Sequence, residues 1–330
     1  MSLTNTEKQP DLSIIIVSFN TKALTRRCLE CVERYSDGLD LEVIVVDNAS
    51  KDGSADMVSD EFPNVKLIKL HENRGFAGGN IPGMSKAAGR HILLLNSDAF
   101  IDEGVLKKTV SFMDQHKEIG ILGCKLIGTD GALQASARML PSPLNKILHI
   151  TGLAARFPKS RFFGRVDFSW WNHTEPRSVG WVVGAYFLIR RKTMEEIGVL
   201  DDRYFLYYEE IDYCLRARRS GWNVVFYPHA SVIHLGGQSI DSKGQIVTPG
   251  SQLKKIRIKS EFLYYRKFYG LIHVIVSASI ELSWNCLVFI KNFFDKSMNG
   301  IIKRRESNQT IRLIISALWD ERFGRGREVF

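Results

Sequence analysis

The first 100 residues alternate short, mostly apolar runs with longer segments of helical character. Leu12–Ser18 (LSIIIVS) and Leu41–Val46 (LEVIVV) carry apolar residues at consecutive positions. A strand that is apolar on both faces is covered by helices on each side, as in parallel sheets built from helical crossovers. We therefore predict a doubly wound α/β domain, a class in which ligands bind beyond the carboxyl ends of the strands.

Further elements extend this pattern along the chain, and a polar, glycine-containing stretch at Asp241–Gly250 marks a boundary. We predict one domain over residues 1–250 and a helical extension over residues 251–330. Within the first domain, the remaining predicted strands are Val65–Leu70, His91–Leu95, Trp181–Ile189 and Val224–Phe226, and the predicted helices include Thr21–Tyr35 and Glu209–Ser220.

The extension carries most of the net charge of +9. Residues 251–330 contain 15 Lys and Arg against 7 Asp and Glu, whereas the first 250 residues are close to neutral. A basic segment of this kind fits either nucleic acid or an anionic lipid surface. The charge pattern alone leaves both partners open.

The apolar run Leu271–Ile290 favours the lipid surface. Its polar residues recur at every fourth position and so share one helix face, and basic residues flank the run on both sides. We predict peripheral attachment to the cytoplasmic face of the membrane, and nothing near the N-terminus resembles an export signal. The alternative is a helix packed against the α/β domain or against a second copy of the chain. The polar residues are His273, Ser277, Glu281 and Asn285, and the flanking cations are Arg266, Lys267, Lys291, Lys296 and Lys303-Arg304-Arg305.

The five cysteines are odd in number and scattered. Cys28 and Cys31 have the spacing of a redox or zinc pair, but they fall on the apolar side of the predicted helix Thr21–Tyr35 and no second pair exists. We interpret them as packing residues.

Polar residues follow the predicted strands where a ligand would bind. Asn96-Ser97-Asp98 comes directly after the strand His91–Leu95, and a carboxylate there could hold Mg²⁺ or Mn²⁺ between diphosphate oxygens. Asn, Ser and Asp are also common strand-ending residues, so a simple turn is the alternative.

The segment Asn73–Asn80 (NRGFAGGN) contains three glycines. We interpret it as a loop whose glycines let the backbone approach a ligand and whose Arg74 can pair with phosphate. The alternative is a flexible surface loop.

An acidic pair, Glu209-Glu210, lies where the aromatic stretch beginning at Tyr204 meets the predicted helix, with Asp212 close behind. Carboxylates at a helix N-terminus can simply complement the helix dipole. One of them can also act as a general base on a hydroxyl group.

Six segments in this order resemble inverting family 2 glycosyltransferases: VSFNT (17–21), VVDNASKDGS (45–54), NRGFAGGN (73–80), LLLNSD (93–98), WVVGAYFLIRR (181–191) and FLYYEEIDYCLRARRSGW (205–222). Within that family the sequence is most similar to rhamnosyltransferases of surface-polysaccharide assembly, which carry a segment like QASARMLPSP (134–143). The resemblance covers roughly residues 11 to 240.

The resemblance implies a GT-A fold, a nucleotide-diphosphate sugar donor and a role for each matching residue. Glu210 corresponds to the catalytic base, and Asp98 with His234 to the metal or diphosphate site. The acceptor-side positions are Arg138, Trp181, Gly184, Ala185 and Glu209. The donor-side positions are Ser18, Phe19, Asn20, Asp47, Asn48, Asn73, Arg74, Gly75, Gly78, Asn80, Asn96 and Ser97.

Three positions depart from the family pattern. Asn96 stands where a first carboxylate is usual, Ile81-Pro82 follows Asn80 in place of a second asparagine, and Glu209-Glu210 replaces the usual Glu-Asp pair. We predict metal-dependent transfer of a sugar, rhamnose from dTDP-rhamnose, to a glycan acceptor attached to a lipid. The alternatives are a UDP-linked hexose donor, a nucleotide-sugar-binding protein without catalysis and, least favoured, a nucleic-acid-binding protein.

Overall fold

The computed structural model describes residues 9–36, 38–236 and 249–320. Contacts divide the chain into two compact units. The first comprises Met1–Arg138, His173–Asp202 and Tyr213–Lys243, and the second comprises Met139–Asn172, Arg203–Asp212 and Gly244–Phe330. The second unit thus draws on two internal segments besides the C-terminal one, and a domain boundary at residue 250 remains a prediction.

A mixed ten-stranded sheet forms the centre of the first unit, with the strand order β3-β2-β1-β4-β11-β6-β12-β5. Strands β7 and β9 extend it at its side, and β8 and β10 form a separate two-stranded sheet. The strands are β1 Leu12–Ser18, β2 Leu41–Asp47, β3 Lys66–Lys69, β4 His91–Asn96, β5 Ala99–Phe100, β6 Ile119–Ile127, β7 Leu133–Gln134, β8 Ala137–Arg138, β9 Arg177–Ser178, β10 Trp181–Val182, β11 Tyr186–Arg190 and β12 Asn223–His234.

Eleven α-helices occur in the described part of the chain. Those whose residues lie wholly in the first unit are α1 Lys22–Arg34, α2 Ser54–Glu61, α3 Gly75–Lys86, α4 Val105–Gln115 and α7 Arg191–Ile197. Helix α8, Glu209–Arg219, begins in the second unit and continues into the first. The second unit holds α5 Pro143–Ile150, α6 Leu153–Arg156, α9 Pro249–Tyr269, α10 Leu271–Lys291 and α11 Met298–Asp320.

The predicted parallel core is confirmed for the first four strands. β1 pairs in parallel with both β2 and β4, and β3 pairs in parallel with β2. Residues Leu12–Ile16 of β1 are fully buried because helices cover both faces of the sheet. The carboxyl ends of these strands therefore meet at one edge, where Ser18, Asp47 and Asn96 lie in neighbouring strands.

The second half of the sheet differs from the sequence prediction. β11 runs antiparallel to both β4 and β6, so the sheet is mixed. The single strand expected at Trp181–Ile189 is wrong, because Trp181–Val182 pairs with β8 in the small sheet and only Tyr186 onward joins the large one. The expected strand Val224–Phe226 continues to His234 across an irregularity after Tyr227, at Pro228, which has no amide hydrogen for the ladder.

Cys28 behaves as the packing residue that the sequence predicted. It is fully buried on the inner face of α1 with Leu29 and Val32, and its thiol faces the backbone oxygens of Asn96 and Ala99. Burial raises the pKa of the Cys28 thiol well above its usual range. A reactive or metal-binding role is thereby disfavoured.

Within the second unit, the polar stripe of the long apolar helix α10 points inward. Ser277 and Glu281 are buried, and both contact Lys146 of α5. The outward face is apolar instead, with Ile272, Leu287 and Ile290 each more than half exposed. By length and hydropathy alone, Leu271–Lys291 is the one described helix that could cross a membrane.

Candidate active site

A hydroxyl cluster fixes the carboxyl end of β1. The Ser18 hydroxyl lies 2.9 Å from that of Thr25, and the Thr21 hydroxyl donates to Ser97 Oγ at 3.2 Å. Because Ser97 directly follows the last residue of β4, this bond joins the end of β1 to the turn that contains Asp98. Phe19, beside this cluster, is half-buried.

The ends of β1 and β2 are connected by backbone-directed hydrogen bonds. Asn20 adopts a left-handed conformation (φ 53°), and its side-chain oxygen accepts from the amide of Lys51 at 2.7 Å. Asp47 Oδ2 accepts from the amide of Ser50, while Asp47 Oδ1 is buried without a hydrogen-bond partner among the described residues. A buried carboxylate oxygen in that state can accept from a ligand hydroxyl or base.

Asn48 organises the segment that enters α3. Its amide nitrogen donates to Asn73 Oδ1 at 2.8 Å and to the backbone oxygen of Gly75 at 3.0 Å. Its oxygen accepts from the amide of Arg74 at 2.9 Å. Both polar atoms of the Asn48 side chain therefore form hydrogen bonds within the protein. Asn48 fixes the shape of the site and is not expected to bind a ligand directly.

The expectation of a glycine-rich loop at residues 73–80 is wrong, because α3 begins at Gly75. A methyl group on Gly79 would lie 2.8 Å from Val17 Cγ1, and one on Gly83 would lie 2.5 Å from Ile15 Cγ2. These two glycines let the helix pack closely on β1. Asn80 is also used inside the helix, where its amide donates to the backbone oxygen of Phe76.

The predicted acceptor-side residues of the first unit lie in two places: Arg138 and Trp181 in the small sheet, and Gly184 and Ala185 directly before β11. Arg138 stacks over the Trp181 ring at 5.6 Å, and the two residues face each other across β8 and β10. Ala185 is buried and accepts from the amide of Asn96 at 3.1 Å. A methyl group on Gly184 would lie 3.2 Å from the Phe76 ring, so Gly184 leaves room for that ring.

Asp98 and His234 meet because β5, which follows Asp98, pairs antiparallel with the end of β12. Their side chains are largely buried, and His234 Nε2 lies 3.5 Å from Asp98 Oδ1. His234 Nδ1 lies 2.8 Å from Gln134 Oε1, while Gln134 Nε2 donates to the backbone oxygen of His234. This second bond orients the Gln134 amide, so Nδ1 must be the donor and Nε2 faces the carboxylate.

This arrangement fits a divalent cation. A neutral imidazole held through Nδ1 presents its Nε2 lone pair, and an adjacent carboxylate supplies an oxygen, as in other metal sites with an oriented histidine. No cluster of three or more His, Cys, Asp or Glu residues occurs in residues 9–36, 38–236 and 249–320. Two protein ligands leave further positions for diphosphate oxygens and water, the mode in which Mg²⁺ is commonly bound.

Gln134 was not identified as a site residue from the sequence, although its segment was. Its role depends on the pairing of β7 with β6, which brings Gln134 within hydrogen-bond reach of His234, and no local pattern reveals this contact. The available signal was a polar residue at the start of the segment QASARMLPSP.

In the second unit, Glu209 and Glu210 open helix α8 directly after a strained turn. Tyr207 (φ 68°) and Tyr208 (φ 71°) both adopt the left-handed backbone conformation, which residues other than Gly and Asn rarely take. Glu209 is buried, and its Oε2 has no hydrogen-bond partner in the described part of the chain. Glu210 is only half-buried and is the more accessible of the two.

Glu209 and Asp212, the buried carboxyl groups near the start of α8, differ in their surroundings. Burial, together with the adjacent charge of Glu210, raises the pKa of Glu209 well above its usual range. Asp212 is fully buried and forms an ion pair with Lys267 at 2.5 Å and a hydrogen bond with the Tyr204 hydroxyl at 3.2 Å. Asp212 thus pairs within the protein, and of the two remaining carboxylates Glu210 belongs to the less buried residue.

The chain belongs to glycosyl transferase family 2, whose profile matches residues 13–216. It is therefore a glycosyltransferase, and the α/β unit described above is its GT-A-like domain.

Individual relatives are more distant. The chain is 27% identical over 220 residues to the N-acetylglucosaminyl-diphospho-decaprenol L-rhamnosyltransferase of Mycobacterium tuberculosis, an alignment that covers 62% of this chain and 71% of the relative. It is 26% identical over 219 residues to the low-salt glycan biosynthesis hexosyltransferase Agl10 of Haloferax volcanii, covering 65% and 64% of the two chains.

Solved structures share the fold at low sequence identity. The mannosyltransferase PcManGT from Pyrobaculum calidifontis, in complex with GDP-Man and Mn²⁺, superposes with a TM-score of 0.54 at 14% identity and covers 96% of this chain and 89% of its own. GalNAc-T7 with UDP, GalNAc and Mn²⁺ gives 0.55 at 14% identity, covering 96% and 57%. These similarities establish the fold alone.

Proposed function

We propose that this protein transfers a single sugar from a nucleotide-diphosphate donor to a glycan acceptor, with inversion, in the synthesis of a cell-envelope polysaccharide. The observation that carries the proposal is the Asp98–His234 pair, oriented by Gln134 at the edge where the strands end. That edge is the ligand-binding edge of an α/β sheet. Family membership supplies the reaction class.

Glu210 is the proposed general base. It takes the proton from the acceptor hydroxyl, the resulting oxygen nucleophile attacks the anomeric carbon, and the nucleoside diphosphate leaves with the electron pair of the broken bond. A single displacement of this kind inverts the configuration at that carbon. Glu209, more deeply buried, is proposed to face the acceptor without taking the proton.

Asp98 and His234 are the proposed holders of Mg²⁺ or Mn²⁺. When bound, the cation neutralises charge on the leaving diphosphate. The buried position of Asp98 and the hydrogen bond between Gln134 and His234 Nδ1 support this assignment. The fold neighbours PcManGT and GalNAc-T7 were both solved with Mn²⁺.

The proposed donor is dTDP-rhamnose and the proposed acceptor a lipid-linked glycan. The support is the name of the Mycobacterium tuberculosis relative, a rhamnosyltransferase that acts on a decaprenol-linked sugar. The Haloferax volcanii relative is a hexosyltransferase, so a UDP-linked hexose is the alternative donor.

We further propose that the second unit binds the anionic cytoplasmic face of the membrane. The outward apolar residues of α10 and the following segment are highly exposed, including Ile290 (68%) and Phe294 (88%), and Trp319 of α11 is 85% exposed. Lys291 and Lys296 are exposed beside them. Apolar side chains bordered by cations are typical of helices that lie in the interface of an anionic bilayer.

The base assignment is tested with Glu210→Gln, which keeps the shape of the side chain and removes its basicity. We expect turnover to fall by about 10²- to 10⁴-fold, because that is what a general base contributes. Binding of dTDP with Mn²⁺ should stay unchanged. The matched control is Glu195→Gln, an exposed carboxylate of α7. Near wild-type turnover by Glu210→Gln would refute the assignment.

The donor is identified by a thermal-shift screen of dTDP-rhamnose, UDP-glucose and GDP-mannose, each with Mn²⁺. A ligand at about 100 times its dissociation constant adds about 2.7 kcal/mol to the free energy of unfolding. The largest shift is expected for dTDP-rhamnose. A larger shift with UDP-glucose would favour the hexosyltransferase alternative.

The membrane proposal is tested by co-sedimentation with vesicles of phosphatidylglycerol and phosphatidylcholine. Phe294→Ser together with Trp319→Ser should reduce binding strongly, whereas Leu133→Ser, which removes an exposed apolar residue of the first unit, should not. Unchanged binding of the double variant would contradict the proposal. Point variants are used because deletion of residues 251–330 would remove most of the second unit.

A further inference from the structure

The turn that precedes the proposed base has a backbone conformation that is unfavourable without support from other parts of the protein. Tyr207 and Tyr208 are consecutive left-handed residues with large side chains, at φ 68° and 71°. Such conformations persist only where the surroundings impose them, and they concentrate at functional sites. The structure must therefore contain groups that hold this turn.

Those groups lie on one face of α9. Ser260 Oγ donates to the backbone oxygen of Leu206 at 2.9 Å, the Tyr264 ring packs against the Tyr208 ring at 5.5 Å, and Lys267 pairs with Asp212 at 2.5 Å. Positions 260, 264 and 267 are spaced by four and three residues, which places them on the same side of a helix. One helix face thus contacts Leu206 and Tyr208 before the acidic pair and Asp212 after it.

A second set of contacts ties the same turn to α5 and α10. The Tyr208 hydroxyl interacts with Glu261, which raises the pKa of Tyr208 in addition to the effect of burial. Glu261 accepts from Lys146 of α5 at 2.5 Å, and Lys146 also donates to Ser277 Oγ at 2.8 Å and pairs with Glu281 at 2.7 Å. Burial would raise the pKa of Glu261, but Lys146 and Ser277 hold it below its usual range. The carboxylate is therefore ionised at neutral pH and pairs with Lys146.

We propose that Ser260, Tyr264 and Lys267 are positioning residues that hold Glu210 in its reactive orientation. The proposal rests on the assignment of Glu210 as the base. Helix α9 lies beyond residues 13–216, the region that the family profile matches. The C-terminal segment is thus part of the catalytic apparatus of this enzyme, and its function is not confined to membrane attachment.

Loss of Lys267 removes a cation that pairs with the buried Asp212, so the first turn of α8 shifts or loosens. A base acts only within hydrogen-bond reach of the proton that it removes, and a displacement of about 1 Å can cost about 100-fold in rate. The donor-side hydrogen bonds of Asn20, Asp47 and Asn48 lie in the first unit and do not involve α9. The rate of transfer should therefore change while donor binding does not.

The test compares Lys267→Met, Lys267→Arg and Arg266→Met in the full-length protein. Arg266→Met is the matched control, because it removes the neighbouring charge about 100° around the helix axis. Turnover is measured with the donor that the thermal-shift screen selects and a short-chain polyprenyl-diphospho-N-acetylglucosamine. Hydrogen–deuterium exchange is followed in residues 204–212 and, for comparison, in residues 44–50.

For Lys267→Met we expect kcat to fall about 10- to 100-fold, the KM for donor to change less than about twofold, and exchange to rise in residues 204–212 only. Lys267→Arg should recover most of the rate, since it restores the ion pair. Arg266→Met should match the wild type. Ser260→Ala, which loses one hydrogen bond, gives a second reading of the same quantities if Lys267→Met does not fold.

A folded Lys267→Met protein with unchanged kcat and unchanged exchange would overturn the inference. So would an equal loss of kcat in Arg266→Met. The outcome is separable from the proposed function, because turnover by Glu210→Gln tests the base itself. Loss of activity in Glu210→Gln with full activity in Lys267→Met would retain the base and reject its positioning by α9.

Discussion

The proposed donor-side residues of the first unit and the acidic turn of the second are held in place in different ways. Asn20, Asp47 and Asn48 are fixed by hydrogen bonds that their side-chain oxygens accept from backbone amides after the ends of adjacent strands. The turn before Glu210 is fixed by a helix remote in sequence, through the Lys267–Asp212 ion pair and the contact between Tyr264 and Tyr208.

The difference shows where each part is vulnerable. A hydrogen bond to the backbone at a strand end depends on the rigid sheet. Substitutions elsewhere in the molecule therefore change its geometry little. Buried ion pairs behave differently, since removing one partner leaves an uncompensated charge away from water. Damage to the first unit should therefore appear mainly in ligand binding, and damage to the second in stability and in the rate of transfer.

The largest expected effect is on the stability of the second unit. Lys146→Met removes the closer of two cations that face Glu261 and Glu281, while Arg257 stays 3.6 Å from Glu281. Breaking a buried pair costs about 3–5 kcal/mol, and Arg257 should hold the loss to the lower end of that range. The measurement is hydrogen exchange of α9 and α10. The control is Lys192→Met, whose side chain is 71% exposed and whose loss should cost less than about 0.5 kcal/mol. Equal effects of the two variants would erase the contrast between the units.

A second expected effect is confined to ligand binding by the first unit. Gln134→Ala removes the acceptor that orients His234, and losing such a supporting group weakens metal binding about 10- to 100-fold. Asp98→Ala, which removes a ligand, should weaken it further. Mn²⁺ binding in the presence of dTDP is measured by calorimetry, with Asp102→Ala, an exposed carboxylate, as the control. Wild-type affinity in Asp98→Ala would exclude this metal site.

A smaller effect is expected where α3 packs on the sheet. Gly83→Ala places a methyl group 2.5 Å from Ile15 Cγ2, and overpacking of this kind costs about 1–3 kcal/mol. In a protein that already carries Ile15→Ala, the same Gly83→Ala change should cost less, because alanine lacks the Cγ2 that the new methyl group meets. Thermal unfolding measures both variants. A stabilised Gly83→Ala protein would show instead that the helix has room to move.

The smallest effect concerns pH. Glu209 has a raised pKa, so its ionisation costs stability as the pH rises from its ordinary value of 4.5 through the higher value in the folded protein. Glu209→Gln should therefore stabilise the protein by about 1 kcal/mol at neutral pH, the lower part of the range for an unsatisfied buried group. The gain should vanish below about pH 4.5. Thermal unfolding at pH 4 and pH 8 tests this, and an equal gain at both values would contradict it.

Much of the first unit could be predicted from the sequence. Strands β1, β2 and β4 were placed to within a residue, because an uninterrupted apolar run flanked by polar residues is a local signal of a buried strand. The residues at their carboxyl ends followed directly, including Ser18, Asp47 and Asp98. The family resemblance added His234 and Glu210, and their assigned roles remain predictions.

One error in the first unit arose from the glycines of residues 73–80. Residues 73–80 were interpreted as a ligand-binding loop, because glycines usually mark turns. In the structure Gly79 and Gly83 lie in a helix, where their lack of a side chain admits Val17 and Ile15 of β1. The sequence shows that a residue is a glycine. The reason for the glycine becomes clear only from the residue that packs against it in the folded protein.

The polar stripe of α10 shows the same limit. Periodicity identified Ser277 and Glu281 as sharing one face, and it also identified the apolar residues on the remaining faces. It did not reveal that the polar face turns inward to Lys146, which lies 131 positions before Ser277. Nor did it separate Lys267, which binds Asp212, from the exposed cation Lys291. Apolar runs and polar spacing are local properties that the chain carries in any conformation, whereas the partner of a buried charge exists only once distant segments have packed together.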